Sequence, residues 1–128
     1  MTSQLKVLVI EDDIDTQTIL GTRLKKRGYT HLAAYDAKEG LRIAQEEDVY
    51  AILMDLDLPA IDGYEATKQL KDNPQTKHIP VIAVSANIDY RDKGRLDEVG
   101  FESYCLKPID YHRLFRIMTS FAQRKAAS

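Results

Sequence analysis

The chain has 128 residues, of which 44% are hydrophobic and 30% are charged, and 18 basic and 20 acidic residues give a formal net charge of −2. This length is typical of one domain, and the even mixture of charges excludes the strongly basic surface of a nucleic-acid-binding protein. No apolar run approaches the ~18 residues needed to cross a bilayer, so we expect no membrane insertion, and the single cysteine, Cys105, excludes an internal disulfide and fits a cytoplasmic location.

Short apolar runs alternate with amphipathic segments along the whole chain. The predicted strands cover residues 6–10, 31–35, 51–55, 80–85 and 102–106. The predicted helices begin near residues 13, 36, 62, 88 and 110. The first ends at Gly28 and the fourth at Gly100, and glycine is the usual residue just after a helix. The last helix has an apolar face of Leu114, Ile117, Met118 and Phe121 at helical spacing.

Acidic residues mark the starts of the first three helices. Asp13 is expected to cap the first helix. Asp36 and Asp62 are each followed three residues later by a glutamate, which is an acidic variant of the capping box. The fourth helix has few aliphatic anchors and contains Gly94, so we expect it to be the helix that rearranges most easily.

Five strands alternating with five helices predict a parallel sheet that is covered by helices on both faces. Right-handed crossovers then give an open, doubly wound α/β fold. We expect a single domain over residues 1–128, with a core from about 5 to 121 and a frayed tail from 122 to 128. The initiating methionine favours a complete gene product rather than a piece of a hybrid protein.

Polar side chains follow the strands at the points where the strands end. Functional sites in such sheets lie beyond the carboxyl ends of the strands, so these side chains are expected to form one cluster. The residues concerned are Glu11, Asp12 and Asp13 after the first strand, Asp55 and Asp57 at the third, Ser85 at the fourth and Lys107 after the fifth.

The expected cluster has a surplus of negative charge. Two carboxylates about 4 Å apart repel by roughly 4 kcal/mol at an effective dielectric constant of 20. A divalent cation would offset this repulsion, and an all-oxygen ligand set favours Mg²⁺, or Mn²⁺ as a substitute. A metal and a lysine together would stabilise phosphoryl oxygens, and Asp55, at the end of the central strand, is the best-placed nucleophile.

Four motifs resemble one family. "VLVIEDD", "LMDLDLPAIDG", "VIAVSA" and "SYCLKP" occur in this order and spacing, and together they resemble the receiver domain of two-component response regulators. The resemblance covers the chain from about Leu5 to Phe121. It implies a flavodoxin-like sheet with strand order 2-1-3-4-5 and a signalling protein rather than an enzyme, with only self-catalysed phosphoryl transfer and autodephosphorylation.

The resemblance also implies a phosphoacceptor and a metal site. Asp55 would take its phosphoryl group from a histidine kinase or a histidine phosphotransfer protein. Glu11 and Asp12 would be the metal-binding acidic pair, with Asp12 a direct ligand and Glu11 acting more through water. Asp55 and the backbone carbonyl of Asp57 would complete the protein ligands.

The remaining implied roles concern the switch. Ser85 would bond a phosphoryl oxygen, with Ala86 leaving the approach open, and Lys107 would pair with the phosphoryl group, its bond to Pro108 being cis. Tyr104 would swing inward when Ser85 moves. The fourth helix, last strand and last helix would then shift and present a docking face to a downstream protein target. This docking face would include Arg95, Tyr104 and Arg113.

Other functions are weighed against this one. A phosphorylation-independent interaction module is an alternative, although all the chemical residues are present. A haloacid-dehalogenase-like phosphatase would have its Asp-x-Asp motif after the first strand, not the third. A nucleotide- or flavin-binding module would need a phosphate-cradling first loop, and here that loop reads "EDDIDTQ".

Several residues have plainer interpretations. The three histidines, His31, His78 and His112, share no ligand spacing and are expected to be solvated. Cys105 is expected in the core, and Tyr111 and Phe115 are expected to pack within the helical layer. Pro59 and Gly63 are interpreted as loop residues. The acidic side chain of Asp57 leads to the hypothesis that Asp57→Asn changes autodephosphorylation without abolishing phosphorylation.

Overall fold

The computed structural model of the chain describes residues 4–57 and 62–127. The predicted loop residue Pro59 lies outside these ranges. Five strands and five helices alternate, as predicted. The strands are β1 (Lys6–Ile10), β2 (Thr30–Ala34), β3 (Val49–Asp55), β4 (Val81–Ser85) and β5 (Ser103–Leu106). The helices are α1 (Ile14–Lys26), α2 (Ala37–Glu46), α3 (Gly63–Asp72), α4 (Tyr90–Val99) and α5 (Tyr111–Ala127).

The strands form one parallel sheet in the order β2-β1-β3-β4-β5, which confirms the predicted fold. Its register brings the carboxyl ends of the strands to one edge. Ile10 pairs with Met54, Asp55 with Val84, and Ser85 with Leu106. The residues that follow β1, β3, β4 and β5 therefore begin at nearly the same level of the sheet.

Two hydrophobic cores lie on opposite faces of the sheet because successive strand residues point to opposite sides. One core joins Leu8, Ile52 and Ala83 to residues of α2, α3 and α4, and the other joins Val9, Leu53 and Val84 to residues of α1 and α5. All seven residues of β3 are buried, as expected for the central strand of a doubly covered sheet.

The helix ends agree closely with the sequence. The side chains of Asp13, Asp36 and Asp62 each accept a hydrogen bond from a backbone N–H of the following turn. Gly28 and Gly100 have φ of +87° and +112°, which explains glycine at these two helix ends. Gly63 is the first residue of α3 rather than a loop residue, and a Cβ there would lie 2.7 Å from Leu56 and 3.1 Å from the Asp55 carbonyl oxygen, which explains the glycine.

Two helix boundaries differ from the prediction. Helix α4 begins at Tyr90 rather than near residue 88, because Asp89 and Asp92 form a reciprocal capping box that sets its first turn. Helix α5 extends to Ala127 and so includes most of the segment from 122 to 128 that was expected to be a frayed tail. None of the helices within the described ranges has the length and apolar character needed to cross a membrane.

Candidate functional site

Three carboxylates meet at the carboxyl edge of the sheet. Glu11 follows β1 and Asp55 ends β3, and both are almost fully buried, with exposed fractions of 4% and 3%. Asp12 lies beside them and is exposed to solvent. One oxygen from each of the three lies within 4.8 Å of the others. These are the three acidic side chains that the sequence predicted to share a metal ion.

Lys107 is the cation that faces this cluster. Its Nζ lies 3.2 Å from Asp55 Oδ1, 3.4 Å from Glu11 Oε1 and 3.7 Å from Asp57 Oδ2. The backbone N–H of Lys107 donates to the Ser85 carbonyl, which extends the β4–β5 pairing past the end of the strand and directs the side chain over β3. The peptide bond from Lys107 to Pro108 is cis, as predicted.

The electrostatics show that one lysine does not balance this cluster. Burial, followed by the neighbouring Asp55 carboxylate, raises the pKa of Glu11 to about 8. Burial by itself would lower the pKa of Lys107, but the attraction of Asp55 and Glu11 outweighs it and raises the pKa overall. The site therefore favours added positive charge, either a proton on Glu11 or a cation bound between the carboxylates.

The residue set suits a hard divalent cation. Carboxylate and carbonyl oxygens are the ligands that Mg²⁺ prefers, whereas no cysteine or histidine belongs to the described cluster. The two buried carboxylates are held by strand ends, and Asp12 is open to solvent, so a bound ion would have room for water ligands on that side. The three carboxylates are therefore chemically suited to bind Mg²⁺.

Asp57 reaches across the site to the end of β4. Its Oδ1 accepts a hydrogen bond from the Ser85 hydroxyl at 3.0 Å, and its Oδ2 accepts one from the Ala86 N–H at 3.3 Å. Its own N–H donates to Asp55 Oδ1 at 2.9 Å. Asp57 is exposed, with 45% of its side chain accessible to solvent.

A buried glutamine that the sequence interpretation missed lies beside the cluster and bonds the backbone that carries Glu11. Gln17 on α1 is 2% exposed, and its Nε2 donates to the carbonyls of Val9, Glu11 and Ala34 at 2.9, 3.1 and 2.9 Å. It therefore ties the ends of β1 and β2 to α1. The signal was present in the sequence, because Gln17 stands at helical spacing with the buried Leu20, Gly21 and Leu24.

The expectation of a solvated His31 is wrong. Its Nε2 is 2.9 Å from Gln17 Oε1, and its ring packs against Gly21 of α1. Since both protons of the Gln17 amide group are used on carbonyls, its oxygen must accept, and His31 Nε2 carries the hydrogen. Burial, with a smaller contribution from Lys25, lowers the pKa of His31. His78 and His112 are exposed, as predicted.

The switch candidate Tyr104 is half-buried on β5. Two cations lie near its ring, with Arg113 Cζ at 5.3 Å and Lys93 Nζ at 5.5 Å from the ring centre. A pocket of about 180 Å³ opens beside it, lined by α4 and β5 residues that include Leu96 and Phe101. Tyr104 does not touch the acidic cluster in the described contacts, so any link between them must run through β4, β5 and α4.

The remaining interpretations agree with the structure. Cys105 is buried in the α1/α5 core. Tyr111 and Phe115 stack at 6.3 Å, and Arg23 and Arg27 of α1 lie over their rings at 4.6 Å. In α4, Leu96 is buried and Val99 is partly buried at the edge of the core, as is Ile88 in the loop before the helix, which is the weak anchoring that the sequence indicated.

Comparison with known proteins decides the family. The family model for the response regulator receiver domain matches residues 7–119. The chain belongs to the response regulator receiver family. It is 35% identical over 115 residues to the polar-differentiation response regulator DivK of Brucella ovis, a match that covers 90% of this chain and 94% of DivK. The chain is therefore a receiver domain of two-component signalling.

Two solved receiver structures share the fold. The receiver domain of a sensor histidine kinase from Pseudomonas aeruginosa, with a magnesium ion coordinated in its active site cleft, is 30% identical at a TM-score of 0.84, and the match covers 93% of this chain and 98% of that one. A chain from the co-crystal structure of the Saccharomyces cerevisiae histidine phosphotransfer protein with the receiver domain of its downstream response regulator is 28% identical at a TM-score of 0.87, covering 98% and 94%.

Proposed function

We propose that this receiver domain accepts a phosphoryl group on Asp55 from a phosphohistidine of a sensor kinase or a histidine phosphotransfer protein. The observation that carries the proposal is the position of Asp55. Its buried carboxylate ends the central strand, 3.2 Å from the Lys107 ammonium and within 4.8 Å of oxygens of Glu11 and Asp12. A buried carboxylate with this many charged neighbours is typical of a reactive group rather than a structural one.

The transfer is a nucleophilic displacement at phosphorus. An oxygen of Asp55 attacks the phosphorus, the phosphorus–nitrogen bond breaks, and its electron pair returns to the imidazole nitrogen of the donor. The product is an acyl phosphate whose oxygens carry the negative charge. Lys107, the Ser85 hydroxyl and the Ala86 N–H are the positive or donor groups around that position, and they would stabilise those oxygens.

Glu11, Asp12, Asp55 and the backbone carbonyl of Asp57 would hold Mg²⁺, with Mn²⁺ as a chemically similar substitute. The bound ion would neutralise charge on the phosphoryl oxygens during transfer. The magnesium-containing relative from Pseudomonas aeruginosa supports this assignment. The protein remains a stoichiometric acceptor, which catalyses only its own phosphorylation and autodephosphorylation.

The phosphodonor must be a protein whose histidine reaches the cluster. Two exposed apolar residues lie at the ends of elements that lead into the site: Ile14 at the start of α1 is 68% exposed and Leu106 at the end of β5 is 47% exposed. Exposed apolar side chains beside a charged site suit the docking of a helical partner. The co-crystallised yeast receiver and phosphotransfer protein support this kind of partner, and the single buried Cys105 fits a cytoplasmic location.

The output is a change at α4, β5 and α5. A phosphoryl group that attracts the Ser85 hydroxyl would favour a state in which Tyr104 turns inward, and the weakly anchored α4 would move with it. The face that includes Arg95, Tyr104 and Arg113 would then bind a downstream protein target. Tyr104 already lies beside a pocket between α4 and β5.

The decisive test is a mass measurement. The purified protein is incubated with acetyl phosphate or phosphoramidate and Mg²⁺, with EDTA-treated protein and Asp55→Asn as matched controls. We expect a gain of one phosphoryl group, labile to alkali and to hydroxylamine as an acyl phosphate is, in the wild type with Mg²⁺, and none in either control. A wild type that gains nothing, or an Asp55→Asn variant that still gains it, overturns the proposal and leaves a phosphorylation-independent interaction module.

The switch has a separate test. Hydrogen exchange is measured with and without beryllofluoride, a phosphoryl mimic. We expect altered protection in residues 86–99 and in β5. Equal protection in both states would refute the switch while leaving the phosphoryl transfer intact.

A further inference from the structure

Beyond the roles assigned above, the side chain of Asp57 already contacts the groups that would bind the phosphoryl oxygens. Its two oxygens accept hydrogen bonds from the Ser85 hydroxyl at 3.0 Å and the Ala86 N–H at 3.3 Å, and Oδ2 lies 3.7 Å from the Lys107 Nζ. These are the same hydroxyl, amide and ammonium that the proposed function gives to the phosphoryl group. A carboxylate is itself a planar anion with two acceptor oxygens, so it fits these donors well.

The Ser85 hydroxyl cannot serve both anions at once. A serine hydroxyl has a single proton to donate. Ser85 Oγ accepts a hydrogen bond from the Asn87 N–H at 3.1 Å, and the hydroxyl proton of Ser85 is donated to Asp57. A phosphoryl oxygen can gain this hydrogen bond only if Asp57 gives it up.

Asp57 can leave without disturbing the fold. Its side chain is 45% exposed, whereas Glu11 and Asp55 are almost fully buried. Its backbone N–H bond to Asp55 Oδ1 does not depend on the side-chain rotamer. Rotation of the carboxylate into water would therefore free the Ser85 hydroxyl and the Ala86 N–H. It would also remove one of the three carboxylates around Lys107, which keeps its contacts with Asp55 and Glu11.

We propose that the Asp57 carboxylate is an internal competitor of the phosphoryl group, which holds Ser85, Ala86 and Lys107 in the unphosphorylated arrangement until it is displaced. The inference rests on the proposed function of Asp55. It makes Asp57 a positioning residue that sets how strongly a given phosphoryl group shifts the switch. Its charge also opposes the approach of an anionic phosphodonor to Lys107.

The test compares beryllofluoride binding in Mg²⁺ by the wild type, Asp57→Asn and Asp57→Ala. Asparagine keeps the shape but loses the charge and one of the two acceptors, and alanine removes the competitor. We expect binding to tighten about three- to tenfold in Asp57→Asn, the scale for losing one partly exposed charge-assisted contact, and at least as much in Asp57→Ala. Asp15→Asn, an exposed acid in the first turn of α1, is the matched charge control and should change binding by less than about twofold.

A second readout separates competition from a general structural effect. The Ala86 amide proton should shift upfield in the unbound Asp57→Ala variant, because its acceptor is lost. In a Ser85→Ala background, the gain from Asp57→Asn should shrink, since one of the contested donors is gone. A gain of the same size in that background, or an unchanged Ala86 resonance, would contradict the inference.

The outcomes distinguish the two proposals. If the wild type binds beryllofluoride and the Asp57 variants bind no tighter, the competitor role is wrong and the function of Asp55 stands. If neither the wild type nor the variants bind, the proposed function fails and the inference fails with it. If only the variants bind, Asp57 blocks the site completely in the wild type, which supports the competitor role but overturns Asp55 as the phosphoacceptor of the wild-type chain.

Discussion

The contact between Gly21 and His31 gives a prediction whose sign opposes the usual rule for helices. Replacing glycine by alanine inside a helix normally stabilises it by about 1 kcal/mol. Here a Cβ on Gly21 would lie 2.4 Å from His31 Nδ1 and 2.8 Å from its Cε1. These separations are far below van der Waals contact, so the ring or the helix must move.

The ring is not free to move cheaply. His31 Nε2 is bonded to Gln17 Oε1 at 2.9 Å, and the Gln17 amide is anchored on three carbonyls. Overpacking of this kind costs about 1–3 kcal/mol, and loss of the hydrogen bond adds about 1 kcal/mol. After the helix gain of about 1 kcal/mol is subtracted, we expect Gly21→Ala to destabilise the protein by about 1–3 kcal/mol.

Urea unfolding followed by circular dichroism measures this change, with Gly94→Ala as the matched control. A Cβ on Gly94 in α4 would meet no atom within 4 Å, so this variant should gain about 0.5–1 kcal/mol. In a His31→Ala background, Gly21→Ala should become neutral or stabilising. If Gly21→Ala stabilises the wild type as much as Gly94→Ala does, the reasoning from close contact is refuted.

Three further predictions follow from single groups. The Thr67 hydroxyl is buried without a hydrogen-bond partner in the described part of the chain, so Thr67→Val should stabilise by about 1 kcal/mol in the same urea assay, and a loss of stability would contradict this. Burial lowers the pKa of His31, so on acidification the unfolded chain binds the proton before the folded protein does. The stability of the wild type relative to His31→Gln should therefore be constant above the usual histidine pKa of about 6.5 and fall as the pH drops below it. A rise in relative stability on acidification would refute this account of His31. Mg²⁺ at ten times its Kd should raise the free energy of unfolding by about 1.4 kcal/mol, with a smaller effect in Asp12→Asn, and an equal effect in that variant would remove Asp12 from the metal site.

Much of the site could be predicted because strand ends are easy to locate in a doubly wound α/β chain. The runs ending at Ile10, Asp55 and Ser85 are apolar and short, and a parallel sheet brings their carboxyl ends to one edge. Once the strand order is known, Glu11, Asp12, Asp55 and Lys107 have to meet. The caps at Asp13, Asp36 and Asp62 were equally predictable, because each depends on residues only three positions apart.

The errors at His31 and Gln17 arise from contacts between residues distant in sequence. The three histidines look alike as sequence, and only the packing of β2 against α1 buries His31 and gives it a glutamine partner. In the sequence, Gln17 is an ordinary polar residue of a helix, and only the structure shows its amide group donating to carbonyls at the ends of two strands. The hydrogen bond from Tyr50 of β3 to the Met118 carbonyl at 2.6 Å, which helps hold α5 on the sheet, is another contact of this kind.

The sequence by itself determined the alternation of elements, the fold class and the set of chemical groups, since periodicity and capping depend on near neighbours in the chain. Only the tertiary structure decided what those groups touch. It placed the Asp57 carboxylate on Ser85, Ala86 and Lys107 rather than in water, because that contact depends on the distance between the ends of β3 and β4. Hydrogen bonds and ion pairs act over a few ångströms, and no spacing along the chain specifies them.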